Sequence, residues 1–451
     1  MSKLIAPKQF YVETARLAVP VALQSLLSSC LGLADTMMVS RIGMVSAVGT
    51  AAQVDSINTL LSLGATSGTA IFLAQYIGAK DEDRVRKTFG LSVMLSAGTA
   101  LLLFLLSAFF PREIIRFYAV DEHTRIYGVQ YLQIVKYGFL PGSLAFGFSY
   151  AFRSGKNAAL PLIVSMVKML MNVVLNSLLI FGPGPFPALG VRGAAIATVI
   201  SQWAAVFAYA FFAYRTHQQF IGSFSQMFCL QRKFVRNILN RIYTLILNEV
   251  FFGFGETLYI RAFSVLGLVA MDAYFVGSKI ASVFFILTMG ISSAATVIMG
   301  QALGEGNIPK AKQLCGWFFS FAGLLSLISA GAIILFAGPM VMLFGLKNSA
   351  TVTLAVQVIR VLAVKIALRM FIVVAFSALR AGGDSKFLTF LDCGIMWLVG
   401  IPVTFFAVHG LGLTSVSLVL LLAQTEHLAR FLLGAYRLKS GKWAVNLTKQ
   451  N

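Results

Sequence analysis

Carboxylic acids stand in or close to several of the longest apolar stretches of this chain. These acids are Asp35, Asp55, Glu249, Glu256, Asp272, Asp392 and Glu426. A charged side chain costs roughly 2.5 kcal/mol or more at the centre of a bilayer, so an acid kept there is by default a functional candidate. The chemistry that such residues offer is the uptake and release of a proton or a cation.

Asp35 is the strongest of these candidates. Gln24 and Ser28 share its helix face, because these positions are separated by four and then seven residues. Pro20, earlier in the same stretch, removes a backbone hydrogen bond and provides a hinge. A titratable acid on a bendable helix can couple protonation or cation binding to a change of shape. The alternative interpretation is a structural acid that is satisfied locally.

The fifth apolar stretch carries Lys168, Asn172 and Asn176 at a spacing of four. If this helix enters from the cytoplasm, its rise places both amides at a depth like that of Asp35. The amides could then hydrogen-bond the carboxylate or help to coordinate a cation, although contacts between helices explain the pattern equally well. Lys168 either pairs with Asp35 or faces water, and the pattern does not separate the two.

The second half of the chain carries Glu249 and Glu256 in its first helix. The two acids lie seven residues apart and therefore share a face. They are candidate sites for a cationic substrate or a proton.

The remaining acids are predicted to be structural. Asp55 and Asp272 fall near the outer ends of their helices, and Asp392 lies early in its helix, at the interface. Glu426 and Arg430 are four positions apart in the last helix, which favours a local ion pair.

The elements that position these residues must be membrane helices. The chain has 451 residues, of which 58% are hydrophobic and 12% charged, with a mean hydropathy of +0.84. A soluble domain could not cover its surface with so few charges. Stretches long enough to cross a bilayer recur along the whole chain. They lie near 11–40, 48–79, 88–110, 128–152, 158–181, 192–214, 242–266, 270–300, 314–343, 355–379, 387–408 and 412–436.

The formal net charge of +20 is explained by orientation. Twelve spans place both termini on one side, and most basic residues outside the spans fall in loops on that side. Loops rich in Lys and Arg remain in the cytoplasm, where they contact anionic lipid headgroups. We therefore expect a multi-pass protein of the inner or plasma membrane with both termini cytoplasmic, and no nucleic-acid partner.

The two halves of the chain repeat each other. Gln75, near the end of the second stretch, matches Gln301 at an offset of 226 residues, and Arg153 matches Arg380 at an offset of 227. The repeat unit holds an even number of helices, so both copies enter from the same side and can rock about a central cavity. We expect an N-terminal six-helix lobe over 1–214, a basic cytoplasmic linker over 215–241 and a C-terminal six-helix lobe over 242–451.

Short motifs follow one another in a specific order. They are Asp35-Thr36, Arg41-Ile42-Gly43, Gln75 with Gly78-Ala79-Lys80-Asp81, Phe152-Arg153-Ser154-Gly155, the stretch 187–198, Asn248-Glu249 and the stretch 378–384. In this order they resemble the multidrug and toxic compound extrusion (MATE) family, within the superfamily that also contains lipid and polysaccharide exporters. The fold that this resemblance implies is all-α, with twelve transmembrane helices in two pseudo-symmetric six-helix bundles.

The resemblance also implies a function. It implies a secondary active antiporter that exports organic cations or amphipathic drugs in exchange for H⁺ or Na⁺, by alternating access. The family's cation site maps onto Asp35, Asn172, Asn176 and Thr198, with Asn at 176 where relatives often carry Asp. We expect a monomer with a small-molecule substrate, surrounded by membrane lipid, without a cofactor and with no metal other than a Na⁺ ion near Asp35.

Two other functions compete with drug export. A flippase for a lipid-linked precursor or another anionic substrate would use basic residues in its cavity, such as Lys168. A membrane-embedded enzyme would need clustered ligands or nucleophiles. The four histidines and four cysteines are scattered, so the sequence predicts a transporter and not an enzyme.

Overall fold

The computed structural model describes residues 6–118, 121–182, 187–342 and 349–449. The predicted loop positions 183–186 and 343–348 and both chain ends lie outside the described residues. The described chain is 88% helical and contains no β-strand. Nine of its helices are long and apolar enough to cross a membrane.

The first half contains α1 to α9. Their bounds are α1 Lys8–Ser40, α2 Val45–Gly78, α3 Glu82–Phe109, α4 Pro111–Tyr118, α5 Glu122–Val135, α6 Phe139–Ser154, α7 Ala159–Phe181, α8 Val191–Arg215 and α9 Phe224–Phe228. The 3₁₀ turn Lys136–Gly138 joins α5 to α6, so that these two form one span. The short helices α4 and α9 are not among the predicted segments.

The second half contains α10 to α17. Their bounds are α10 Arg232–Ser264, α11 Leu268–Gly304, α12 Ile308–Met342, α13 Ser349–Ala381, α14 Ser385–Thr389, α15 Ile401–Phe405, α16 Val416–Ala423 and α17 Thr425–Lys439. Wider π-helical turns at Phe390–Gly394, Met396–Gly400 and Phe406–Gly410 make 385–410 one irregular span. Counted with α5–α6 and α16–α17 as single spans, the twelve predicted transmembrane helices are present.

The helices group into two compact units. The N-unit comprises Leu23–Ile242, and the C-unit comprises the residues up to Ala22 together with those from Tyr243 onward. Helices α1 and α10 are therefore each divided between the units, and Pro20 lies just before the division of α1. The predicted lobes assign all of α1 to the first half, and their boundaries stay a prediction.

The repeat is visible in the turns that end matched helices. After α2, the amide of Lys80 donates to the carbonyl of Ile77 while the next amide reaches back to Tyr76. This Schellman pattern requires a left-handed residue, and Lys80 has φ of 57°. After α11 the same bonds surround Gly306, with φ of 80°. A second matched pair of left-handed residues follows α6 and α13. These are Lys156 and Gly383, with φ of 61° and 71°.

The helices that follow the turns after α2 and α11 begin with equivalent N-terminal caps. The Asp81 carboxylate accepts from the backbone amide of Arg84 at 3.1 Å, which caps α3. The Asn307 amide oxygen accepts from the backbone amide of Lys310 at 3.0 Å, which caps α12. Such caps satisfy amide groups that have no partner within the helix. Both caps lie at the offset of 226 residues that the repeat predicts.

Apolar packing surrounds the candidate site of the N-unit. Val39 of α1, Val54 of α2, Tyr131 and Leu132 of α5 and Ala195 of α8 are buried in one cluster. Their side chains bring four helices together close to Asp35. The polar groups described next therefore lie beside a packed apolar cluster.

Candidate functional site

A chain of hydrogen bonds runs from Asp35 across three helices of the N-unit. The Nδ2 of Asn176 donates to Oδ1 of Asp35 at 2.6 Å and to Oδ1 of Asn172 at 3.0 Å. The Nδ2 of Asn172 in turn lies 3.4 Å from the Ser201 hydroxyl, which donates to the carbonyl of Thr198 at 2.9 Å. The structure thus brings the four predicted coupling residues together, with Thr198 joined through Ser201.

The sequence explains this placement. Asn172 and Asn176 lie one turn apart on α7, so both face α1 and α8, and each is only 1% exposed. Gly193 of α8 lies against the backbone of Leu179 of α7, where a Cβ atom would overlap the carbonyl oxygen. A glycine at this position lets α7 and α8 approach closely. The amides are thereby buried, while Asp35 itself is half-buried.

A second acid and one cation complete the site. Asp55 of α2 and Asp35 both lie within electrostatic range of Lys168, the half-buried lysine one turn before Asn172. Among the described residues, Lys168 forms no ion pair with either carboxylate. With both acids ionised, the site carries two negative charges and one positive charge. The uptake of one further positive charge would make it neutral.

Tyr131 of α5 lies between the acids and α8. It is within electrostatic range of Asp35 and Asp55, and its hydroxyl reaches Thr198. The Thr198 hydroxyl donates within its own helix, to the carbonyl of Ala194 at 3.0 Å. Thr198 therefore contributes to the site through its backbone carbonyl and its contact with Tyr131.

Gln24 and Ser28 occupy different surroundings from Asp35. The Oε1 of Gln24 accepts from Arg153 at 2.6 Å, and its Nε2 donates to the Ser165 hydroxyl at 2.9 Å. Ser28 is exposed and donates to the carbonyl of Gln24. Both residues lie on the same helix as Asp35, but within the described residues neither side chain forms a hydrogen bond with Asp35.

In the C-unit, Glu249 and Glu256 also have separate neighbours. Glu249 lies 3.9 Å from Arg380. Glu256 is half-buried and lies within electrostatic range of Tyr259 and Tyr274. Of these two acids, Glu249 alone has a cation beside it among the described residues.

A buried ionic network occupies the interior of the C-unit. Arg430, which is 2% exposed, contacts Glu426 at 2.5 Å and Asp392 at 3.4 Å. Asn248 donates to Asp392 at 3.0 Å, and the Tyr259 hydroxyl donates to Glu426. The predicted pair of Glu426 with Arg430 is confirmed. Asp392 also contacts Arg430, and its position at the membrane interface stays a prediction.

Three contributors to the N-unit site were missed from the sequence. Ser201 lies three positions after Thr198, so the helix period could have indicated it. Asp55 is predicted from the sequence to be a structural acid at a helix end, and only the tertiary fold places it within electrostatic range of Lys168. Tyr131 gave no local signal, since a tyrosine in an apolar helix usually packs.

These observations define a class of protein: a polytopic membrane protein with a half-buried acid among amides in one unit and an ionic network in the other. A family model described as MatE matches residues 20–178 and 245–406. The chain belongs to this family, so the resemblance inferred from the motifs is confirmed.

Known proteins resemble the chain over most of its length. A probable multidrug resistance protein NorM of Thermotoga maritima is 27% identical over 339 residues, which are 74% of this chain and 72% of the relative. The multidrug resistance protein NorM of Burkholderia vietnamiensis is 26% identical over 89% of this chain and 88% of its own. The crystal structure of the Vibrio cholerae MATE transporter VcmN in the bent form has the same fold. Its TM-score is 0.87 at 17% identity, covering 97% of this chain and 99% of that one.

Proposed function

We propose that the protein exports organic cations or other amphipathic compounds in exchange for H⁺ or Na⁺, by alternating access. The observation that carries this proposal is the hydrogen-bonded chain from Asp35 through Asn176 to Asn172 within membrane helices. The names of the relatives, which are multidrug resistance proteins, support the choice of substrate. We further propose that the protein is a monomer in the inner membrane with both termini in the cytoplasm. The proposed division of the chain is an N-terminal lobe to residue 214, a linker to residue 241 and a C-terminal lobe.

The charge of the site supports exchange for a single monovalent ion. With all three groups ionised, Asp35 and Asp55 together outweigh Lys168 by one negative charge. One proton or one Na⁺ ion neutralises this excess, and so does an organic cation. The simplest basis for exchange is that the coupling ion and the substrate compete for the same negative charge. Each ligand can drive the conformational change only if it binds the two conformations with unequal affinity.

The amide of Asn176 suits the proton as coupling ion. Its Nδ2 group donates to Asp35, as an ionised carboxylate requires, while its buried Oδ1 has no hydrogen-bond partner among the described residues. If Asp35 takes up a proton, rotation of the amide by half a turn presents Oδ1 as an acceptor for the new O–H group. An aspartate at position 176 could not respond to both states in this way.

The same side chains also offer ligands to Na⁺. The carboxylate of Asp35, the amide oxygens of Asn172 and Asn176 and the carbonyl of Thr198 are all oxygen donors, which hard cations prefer. Only one of these donors carries a formal charge, and Lys168 repels a cation from nearby. The two coupling ions are thus separable by experiment, since only Na⁺ coupling depends on the concentration of the metal.

Pro20 provides the proposed hinge. A proline inside a helix removes one backbone hydrogen bond and leaves the helix easier to bend. Pro20 lies just before the point at which α1 passes from the C-unit to the N-unit. Bending there would move the segment that carries Asp35 while the earlier turns of α1 keep their contacts.

Dye efflux in energised membrane vesicles tests this function. Asp35→Asn should reduce efflux of a cationic dye to the level of vesicles without the protein, because the variant can bind neither a proton nor a cation in the same way. Asp272→Asn is the matched control, since Asp272 is an exposed acid of a membrane helix. Full efflux by Asp35→Asn at equal protein amounts would refute the role of Asp35.

A further inference from the structure

Two neighbouring basic residues of α13 in the C-unit form no ion pair among the described residues. Among the described residues, Arg430 pairs with both Asp392 and Glu426, and Arg380 lies beside Glu249. Lys365 and Arg369 lie one turn apart on α13, and neither forms an ion pair within the described ranges. Asp392, Glu426 and Glu249 reach Arg369 electrostatically, but each already lies beside Arg430 or Arg380.

The contacts of these two cations are aromatic. The Nζ of Lys365 lies 5.7 Å from the ring centre of Phe285, and the guanidinium of Arg369 lies 5.8 Å from that of Phe376. Cation–π contacts stabilise a charge without neutralising it. Both side chains are half-buried beside these aromatic rings.

A histidine adds a third polar group to this place. His427 of α17 is 6% exposed and lies within electrostatic range of Lys365 and Arg369. Its Nδ1 atom is buried and makes no hydrogen bond with any described residue. A buried polar atom without a partner is costly in a protein interior. A neutral imidazole that carries its proton on Nδ1 can donate it to an anionic ligand.

We propose that Lys365, Arg369 and His427 form a binding site for the oxyanion of an amphipathic ligand, a carboxylate, sulfonate or phosphate group. Lys365 and Arg369 supply the charge, His427 supplies a further hydrogen bond, and Phe285 and Phe376 contact the apolar part of the ligand. The inference rests on the proposed function in taking the ligand to be a transported compound. It adds that such compounds include molecules with an anionic group.

Binding to purified full-length protein in a nonionic detergent tests the site. The probe is 1-pyrenebutyrate, and 1-pyrenebutylamine is its control, because the two share an apolar body and differ in charge. Lys365→Gln combined with Arg369→Gln should weaken binding of the butyrate about tenfold or more, as expected when two charge-assisted hydrogen bonds are lost. Binding of the amine should be unchanged or stronger. His427→Leu should weaken binding of the butyrate by a smaller factor.

Several results would overturn the proposal. The first is that the wild type and the double variant bind the butyrate equally. The second is that the double variant loses affinity for the butyrate and the amine to the same extent, since this would indicate that the whole unit has collapsed. The single variant Lys365→Arg keeps the charge and should therefore retain the binding that Lys365→Gln loses. If it binds as weakly as Lys365→Gln, charge is not what the site uses.

Two further measurements identify the source of the oxyanion. Displacement of the butyrate by phosphatidylglycerol in mixed micelles, but not by phosphatidylcholine, supports the site and assigns it to a lipid headgroup. Displacement by inorganic phosphate supports recognition of a free anion. Because no ion gradient is needed, Asp35→Asn should bind the butyrate as the wild type does. Full transport by Asp35→Asn with intact binding would therefore count against the proposed function alone.

Discussion

The two units share their backbone turns and differ in their interior charges. Lys80 and Gly306 end matched helices with the same left-handed turn, and the caps that follow are also matched. Inside the N-unit, however, Asp35 is held by neutral amides and is half-buried. Inside the C-unit, Asp392 and Glu426 are fixed by Arg430. The two units thus share the turns and caps that define their backbone, whereas their buried ionisable groups differ.

This difference separates an acid that is held by neutral amides from acids that are held by a cation. Removing the charge of Asp35 leaves an amide neighbour that can still form a hydrogen bond. Removing Arg430 leaves two buried carboxylates without a counterion. We therefore expect substitutions in the N-unit site to affect transport and substitutions in the C-unit network to affect folding.

The largest expected effect is that of Arg430→Met. Breaking a buried ion pair by removing one partner costs about 3–5 kcal/mol, because a charge remains buried and unpaired. Thermal unfolding of the detergent-solubilised protein should show a strong loss of stability, together with low expression. The triple variant Arg430→Met, Asp392→Asn and Glu426→Gln should recover most of it. A single variant as stable as the wild type would show that the network does not hold the C-unit together.

A smaller effect is expected at a matched pair of glycines. Gly90 of α3 lies against the backbone of Met227, where an added Cβ would overlap the carbonyl oxygen, whereas Gly316 of α12 faces open space. Gly90→Ala should destabilise the protein by about 1–3 kcal/mol through overpacking. Gly316→Ala should be neutral or slightly stabilising, since alanine favours a helix interior. Equal unfolding temperatures for the two variants would mean that α9 does not pack on α3 as described.

The smallest effect concerns the left-handed turn. Lys80→Gly relieves strain of roughly 1–2 kcal/mol, offset by roughly 0.5–1 kcal/mol of additional chain entropy. A stabilisation of about 0.5 kcal/mol should therefore appear in thermal unfolding. Gly306→Ala is the reciprocal variant and should destabilise the protein. If Lys80→Gly is the less stable form, contacts of the lysine side chain outweigh the strain.

The sequence predicts the fold more completely than the site. Apolar stretches and the repeat are spread over the whole chain, so each helix is indicated by many residues. Asn172 and Asn176 could be predicted as partners of Asp35 because depth in a membrane follows from position along a helix. Asp55 and Tyr131 could not, since their place in the site depends on which faces of α2 and α5 turn toward Lys168 and Thr198. The contact of Asp392 with Arg430 could not be predicted for the same reason.

The central claim is that the charge of Asp35 couples an ion to substrate export. Reconstituted protein in liposomes tests it most directly, with a pH gradient and a Na⁺ gradient imposed separately and dye movement measured in each. We expect one of the two gradients to drive the wild type and the Asp272→Asn control, and neither to drive Asp35→Asn, although that variant should still exchange dye down its own gradient. Gradient-driven transport by Asp35→Asn at the wild-type rate would contradict the account.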